Sequence, residues 1–143
     1  MIGKGSVDKK PKIIITKSDV ERLEKLLESL PAKAFPGKAE LEMEIERAKI
    51  VDSKKIPASV VTMNSRVKFK VSSSNEEFSL TLVYPKDVNE KGDTISILAP
   101  VGSALLGLSQ GDEISWPKPG GGMLKVRIEE VIYQPERSGD YHR

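Results

Sequence analysis

The chain reads as an α+β protein: an N-terminal antiparallel helical hairpin, a short coiled coil, followed by an antiparallel sheet domain with one short helix. Three observations carry this. Between Val20 and Leu30 the apolar residues recur at helical spacing, whereas from Val67 to Val71 and from Phe78 to Tyr84 they alternate. From Ile95 to Tyr133, strand-like runs and one helix-like run are punctuated by Gly111-Asp112 and by Pro119-Gly120-Gly121-Gly122. Helical segments first and strands afterwards are the mark of segregated, α+β packing.

Each element has its own local cause. Lys12 to Thr16 is a β-branched run and is expected to be extended. Ser18-Asp19-Val20-Glu21 matches a capping box, with Asp19 at the positive end of the helix dipole. Val20, Leu23, Leu27 and Leu30 then form a narrow apolar stripe, and Pro31 stops the helix. After the loop from Pro31 to Gly37, a second helix is expected over residues 37–52, with Leu41, Ile45 and Ala48 on one face. At about 1.5 Å per residue, the two helices are each roughly 20–24 Å long. Pro57 marks a linker. Ser59 to Met63 is β-branched, Asn64-Ser65 is a turn, and residues 66–71 and 78–84 are half-buried strands ended by Pro85. Thr94 to Leu98 reads as a strand, and Pro100 as the first residue of a helix that runs to Leu108. Glu113 to Trp116 and Met123 to Gln134 are the last two strands. The domain plan is therefore a basic arm at 1–11, expected to be disordered, a hairpin at 12–53 and a sheet domain at 54–143.

Composition narrows the function. In 143 residues, Lys and Arg total 23 against 21 for Asp and Glu, a near balance that argues against a duplex-binding surface. The excess sits before Ile13, where Lys4, Lys9, Lys10 and Lys12 face only Asp8. There is no cysteine, which excludes disulfides, thiolate metal sites and cysteine nucleophiles. No apolar run approaches the ~18 residues of a membrane span. The expectation is a cytoplasmic protein with no membrane partner.

No catalytic constellation emerges. The Gly-rich run at 119–122 is followed by a strand rather than by Lys-Ser/Thr and a helix, so it is a hairpin turn and not a phosphate loop. Glu40, Glu42, Glu44 and Glu46 alternate along a helix, spread over more than one face, and read as a solvated surface with pairs Glu44–Arg47 and Glu46–Lys49. His142, the single histidine, is next to the last residue and lacks neighbours to orient it. Asp87, Asp93, Asp112 and Asp140 fall at turns, and Trp116, Phe69, Phe78, Tyr84 and Tyr133 fall on strands, most of them expected in the core. The chain is therefore not expected to be an enzyme, to hold a metal or cofactor, or to take a small-molecule substrate.

Several motifs in order carry a family likeness. Ser96-Ile97-Leu98-Ala99-Pro100-Val101-Gly102-Ser103-Ala104-Leu105-Leu106-Gly107, then Gly111-Asp112, then Pro119-Gly120-Gly121, resembles the C-terminal domain of the GreA/GreB transcription elongation factor family. Residues 60–67, 81–85 and the tail Tyr133-Gln134-Pro135-Glu136 through Gly139-Asp140-Tyr141 are similar to the Rnk branch of that family. The resemblance implies an FKBP-like fold for residues 54–143 and bacterial RNA polymerase as the partner, with no sequence-specific nucleic-acid contact. In Gre factors the C-terminal domain docks at the rim of the polymerase secondary channel. Acidic residues at the hairpin tip help hold a Mg²⁺ ion for transcript cleavage.

The predicted tip here, residues 30–38, has no carboxylate and two lysines, Lys33 and Lys38. The expectation is polymerase binding at the channel rim without stimulated cleavage, possible competition with cleavage factors, and contacts from Ala99, Pro100, Ser103, Lys33 and Lys38. The alternatives are an authentic Gre-type cleavage factor and an FKBP-like prolyl isomerase. An isomerase would need an aromatic-lined pocket.

Overall fold

The structure is a computed structural model that describes residues 12–31, 37–71, 76–117 and 122–139. The basic arm at 1–11, Lys33 and most of the predicted tip, the turn at 72–75, the Gly-rich turn at 118–121 and His142 lie outside the described residues.

The N-terminal unit is a strand–helix–helix–strand crossover. β1 (Ile14–Thr16) leads directly into α1 (Lys17–Glu28); α2 (Lys38–Arg47) leads into β2 (Lys49–Val51), and β2 pairs in parallel with β1. A parallel pair requires a long crossover, and the two helices supply it. Three local expectations are corrected here. The α1 cap is Thr16, not Ser18: the Thr16 hydroxyl accepts the Asp19 N–H at 3.1 Å, because the helix starts at once after β1. The first helix stops at Glu28, before Leu30 and Pro31. The second stops at Arg47, since Ala48 turns to extended backbone and residues 49–51 enter the sheet with β1.

The second unit is a five-stranded sheet in the order β5-β4-β3-β7-β6, from β3 (Arg66–Val71), β4 (Glu76–Val83), β5 (Thr94–Ser96), β6 (Glu113–Pro117) and β7 (Met123–Tyr133). All pairings are antiparallel except β4 with β5. The exception corrects a wholly antiparallel expectation. After β4, Pro85–Asp87 form a 3₁₀ turn, and residues 84–93 return the chain so that Thr94 aligns with Thr81. The register of β3 against β7 slips between Arg66/Val67 and between Lys68/Phe69; such bulges bend a sheet and raise its twist. α3 (Pro100–Leu105) packs beside the sheet and is shorter than the expected helix to Leu108.

One core joins both units. Val20, Leu23, Leu27, Leu41 and Ile45 of the helices share it with Val67, Phe69, Leu82, Leu105, Trp116, Val126 and Ile128. The stripe on α1 is thus not a self-contained coiled-coil seam. The beginning of α2 also meets the sheet domain: a Cβ placed on Gly37 would lie 3.5 Å from the Trp116 indole nitrogen. No helix among the described residues is long and apolar enough to cross a membrane.

Candidate partner-docking site

The segment singled out by sequence, residues 96–107, is held from both ends. The Ile97 N–H donates to Val83 O at 2.9 Å, and the Ser96 hydroxyl accepts the Leu98 N–H at 3.0 Å. Ala99 then forms the extended N-cap of α3, and Pro100 occupies its first turn, where no N–H is needed. Ala99, Pro100 and Val101 are half-buried and form the accessible edge of this segment, while Gly102, Ser103, Ala104 and Leu105 are buried.

Ser103 is therefore not a surface contact. It is 3% exposed, and its hydroxyl donates to Ile97 O at 2.6 Å, clamping the helix onto the turn before it. The sequence does not separate these roles, because Ser103 becomes buried only through its bond to Ile97 O, six residues away.

The glycines of the motif are structural. A Cβ on Gly102 would come within 2.0 Å of Ser96 O. Gly107 has φ +82°, and a Cβ there would stand 2.8 Å from Ile13 Cβ. Its carbonyl accepts the Ile14 N–H at 3.2 Å, and its N–H donates to Val61 O at 2.9 Å. Gly107 is thus the seat on which β1, and with it the helical unit, rests.

Lys38, the second expected tip contact, opens α2. It is 9% exposed, and its ammonium bonds Glu42 at 2.9 Å. Its charge is turned along its own helix rather than outward. Glu44 likewise leaves the expected solvated face: it is buried and holds Arg47 through two bonds of 2.6 and 3.0 Å.

The joint between the units contains polar chemistry with no local signature in the sequence. Asp19, 4% exposed, accepts the Met63 N–H at 3.1 Å. Burial pushes its carboxyl up to about 6, aided by the charge of Glu136 and opposed by the Met63 amide and Arg22. Tyr84 faces Asp19 and Arg22, and burial raises its hydroxyl pKa. Thr62 links this layer to the tail: its hydroxyl donates to Glu136 at 2.7 Å, and Ser65 accepts its N–H at 3.0 Å. Gln134, fully buried, donates to Pro57 O and Val60 O at 2.8 and 2.7 Å. An Asp in the first turn of a helix ordinarily signals the helix dipole; the partner of Asp19 lies 44 residues away and leaves no local signal. Among the described residues no group of three His, Cys, Asp or Glu side chains could hold a metal.

The comparisons with known proteins fall on the same two units. Residues 56–133 match the family described as transcription elongation factor GreA/GreB, C-terminal, and residues 11–51 match the Rnk N-terminus. The regulator of nucleoside diphosphate kinase of Escherichia coli K12 is 44% identical over 132 residues, covering 92% of this chain and 97% of its own. The chain belongs to the Rnk branch of the GreA/GreB family. Likeness to GreA itself is partial: the GreA of Helicobacter hepaticus is 30% identical over 99 residues, 66% of this chain and 61% of that protein. Among solved structures, the prokaryotic transcription elongation factor GreA/GreB from Nitrosomonas europaea is 67% identical, with a TM-score of 0.69 over 87% of this chain and all of that one. In this GreA/GreB-family chain, most of the motif around residues 96–107 and the tail at 133–136 goes into seating β1, α3 and residues 57–62. The 99–101 edge is among the half-buried stretches that stay accessible, together with Ser96 and Leu98 before it.

Proposed function

We propose that this protein is a transcription regulator that binds RNA polymerase through the 99–101 edge of its sheet domain and acts by occupancy, without stimulating transcript cleavage. The observation that carries this reading is the pairing of a Gre-type C-terminal domain with an Rnk-type N-terminus in place of a long hairpin. α1 has 12 residues and α2 has 10, so each extends only about 15–18 Å at 1.5 Å per residue. The segment between them, residues 29–37, contains no Asp or Glu. Mg²⁺ prefers carboxylate oxygens, and this segment offers none, so the metal-dependent step of Gre factors has no counterpart here. Docking at the secondary-channel rim, and competition with cleavage factors for it, belong to the same proposal, as does a contribution from Lys33.

Co-sedimentation or pull-down with purified polymerase tests it. Binding that a GreA factor displaces is the expected result; absence of binding, or binding indifferent to GreA, would remove the proposal. An isomerase reading gains nothing from the fold, since Trp116 and Phe69 are fully buried core residues rather than pocket walls.

A further inference from the structure

The groove between α1 and α2 is a second surface, separate from the 99–101 edge. The outer edges of the core residues Val20, Leu27 and Ile45, each less than a tenth exposed, floor it, and Ile50 of β2, 50% exposed, is the open apolar side chain of its lining. Its volume is about 630 Å³. Glu24 and Glu28 of α1 and Glu42 and Glu46 of α2 line it, and no lysine or arginine does so among the described residues. Each helix contributes a like-charged pair at i,i+4, an arrangement that weakens a helix by a few tenths of a kcal/mol. Lys38 offsets only Glu42, at 2.9 Å. Glu24, Glu28 and Glu46 have no ion pair among the described residues. Met43, 65% exposed, extends the apolar surface past Glu46 into an adjoining hollow, which Glu44 and its ion-pair partner Arg47 also line.

We propose that this groove receives a basic amphipathic helix of a partner protein. Apolar side chains of that helix enter between Leu27, Ile45 and Ile50, and flanking Lys or Arg residues meet the four glutamates. An apolar floor between rows of one charge is the complement of such a segment and repels an acidic one. From Val20 to Glu28 the floor runs about 12 Å, room for two turns of the incoming helix. The inference rests on this geometry and is independent of polymerase binding.

The probe is a synthetic amphipathic helix of leucine and lysine, titrated into the full chain while methyl resonances of Val20, Leu27, Ile45 and Ile50 are followed by NMR. A peptide with glutamate at every lysine position is the control. The expected result is saturable shifts confined to the groove, absent with the control, and weakened about tenfold or more by Glu24→Lys with Glu46→Lys, two substitutions at exposed positions. Shifts centred elsewhere, equal binding of the control, or affinity unchanged in the double variant would overturn the proposal. So would groove shifts on deleting residues 1–11, which would make the chain's own arm the occupant.

Discussion

Asp19 is a buried carboxyl at the joint between the helical and sheet units, bonded to the Met63 N–H. Its carboxyl is raised from 3.8 to about 6 in the folded protein, so between those two pH values the folded state holds a proton that the unfolded state releases. Its contribution to stability is fully present below pH 3.8 and is lost as pH rises through about 6, an effect on the order of 3 kcal/mol. Asp19→Asn keeps an oxygen for the Met63 N–H and removes the charge. Thermal melts should show the variant gaining on the parent from about pH 4 to about pH 6 and levelling off above that; parallel curves would contradict the assignment.

Gly107 is a residue whose sequence role is legible as a motif but not as a cause. Gly107→Ala forces a Cβ into Ile13 at positive φ and should cost about 2–4 kcal/mol in denaturant unfolding. Ser103→Ala removes the bond to Ile97 O and should cost about 1 kcal/mol, while leaving the affinity of the folded protein for polymerase unchanged.

At the scale of elements, the strands that bury one face were readable directly. Arg66 to Val71 alternate because Val67 and Phe69 enter the core while Arg66, Lys68 and Lys70 do not. β2 was hidden because Ala48, Ile50 and Val51 continue an apolar pattern compatible with a helix, and only pairing with β1 decides otherwise. The parallel partnership of β4 and β5 is likewise a tertiary fact with no local signature. The site divides in the same way. Its segment was visible, but which side chains face outward depended on the Ser96–Gly102 contact.

α3 offers a test that separates structure from docking. Ala99 is an N-cap without a side-chain bond. Ala99→Asp should raise stability by about 0.5–1 kcal/mol while weakening polymerase binding, because it places a charge on the accessible edge. Unchanged affinity in this variant would move the docking surface elsewhere.

For the whole molecule, one core spans the helical and sheet units, and the polar joint from Thr16 through Asp19, Met63 and Thr62 to Glu136 fixes their relation. Residues 29–37, which join α1 to α2, contain no Asp or Glu, so under the proposed function binding and cleavage come apart in this protein. The most direct measurement is RNA cleavage in backtracked polymerase complexes, with the protein alone and in competition with GreA. The account predicts no acceleration over polymerase alone and a dose-dependent slowing of GreA-stimulated cleavage. Robust cleavage stimulated by the protein itself would contradict it.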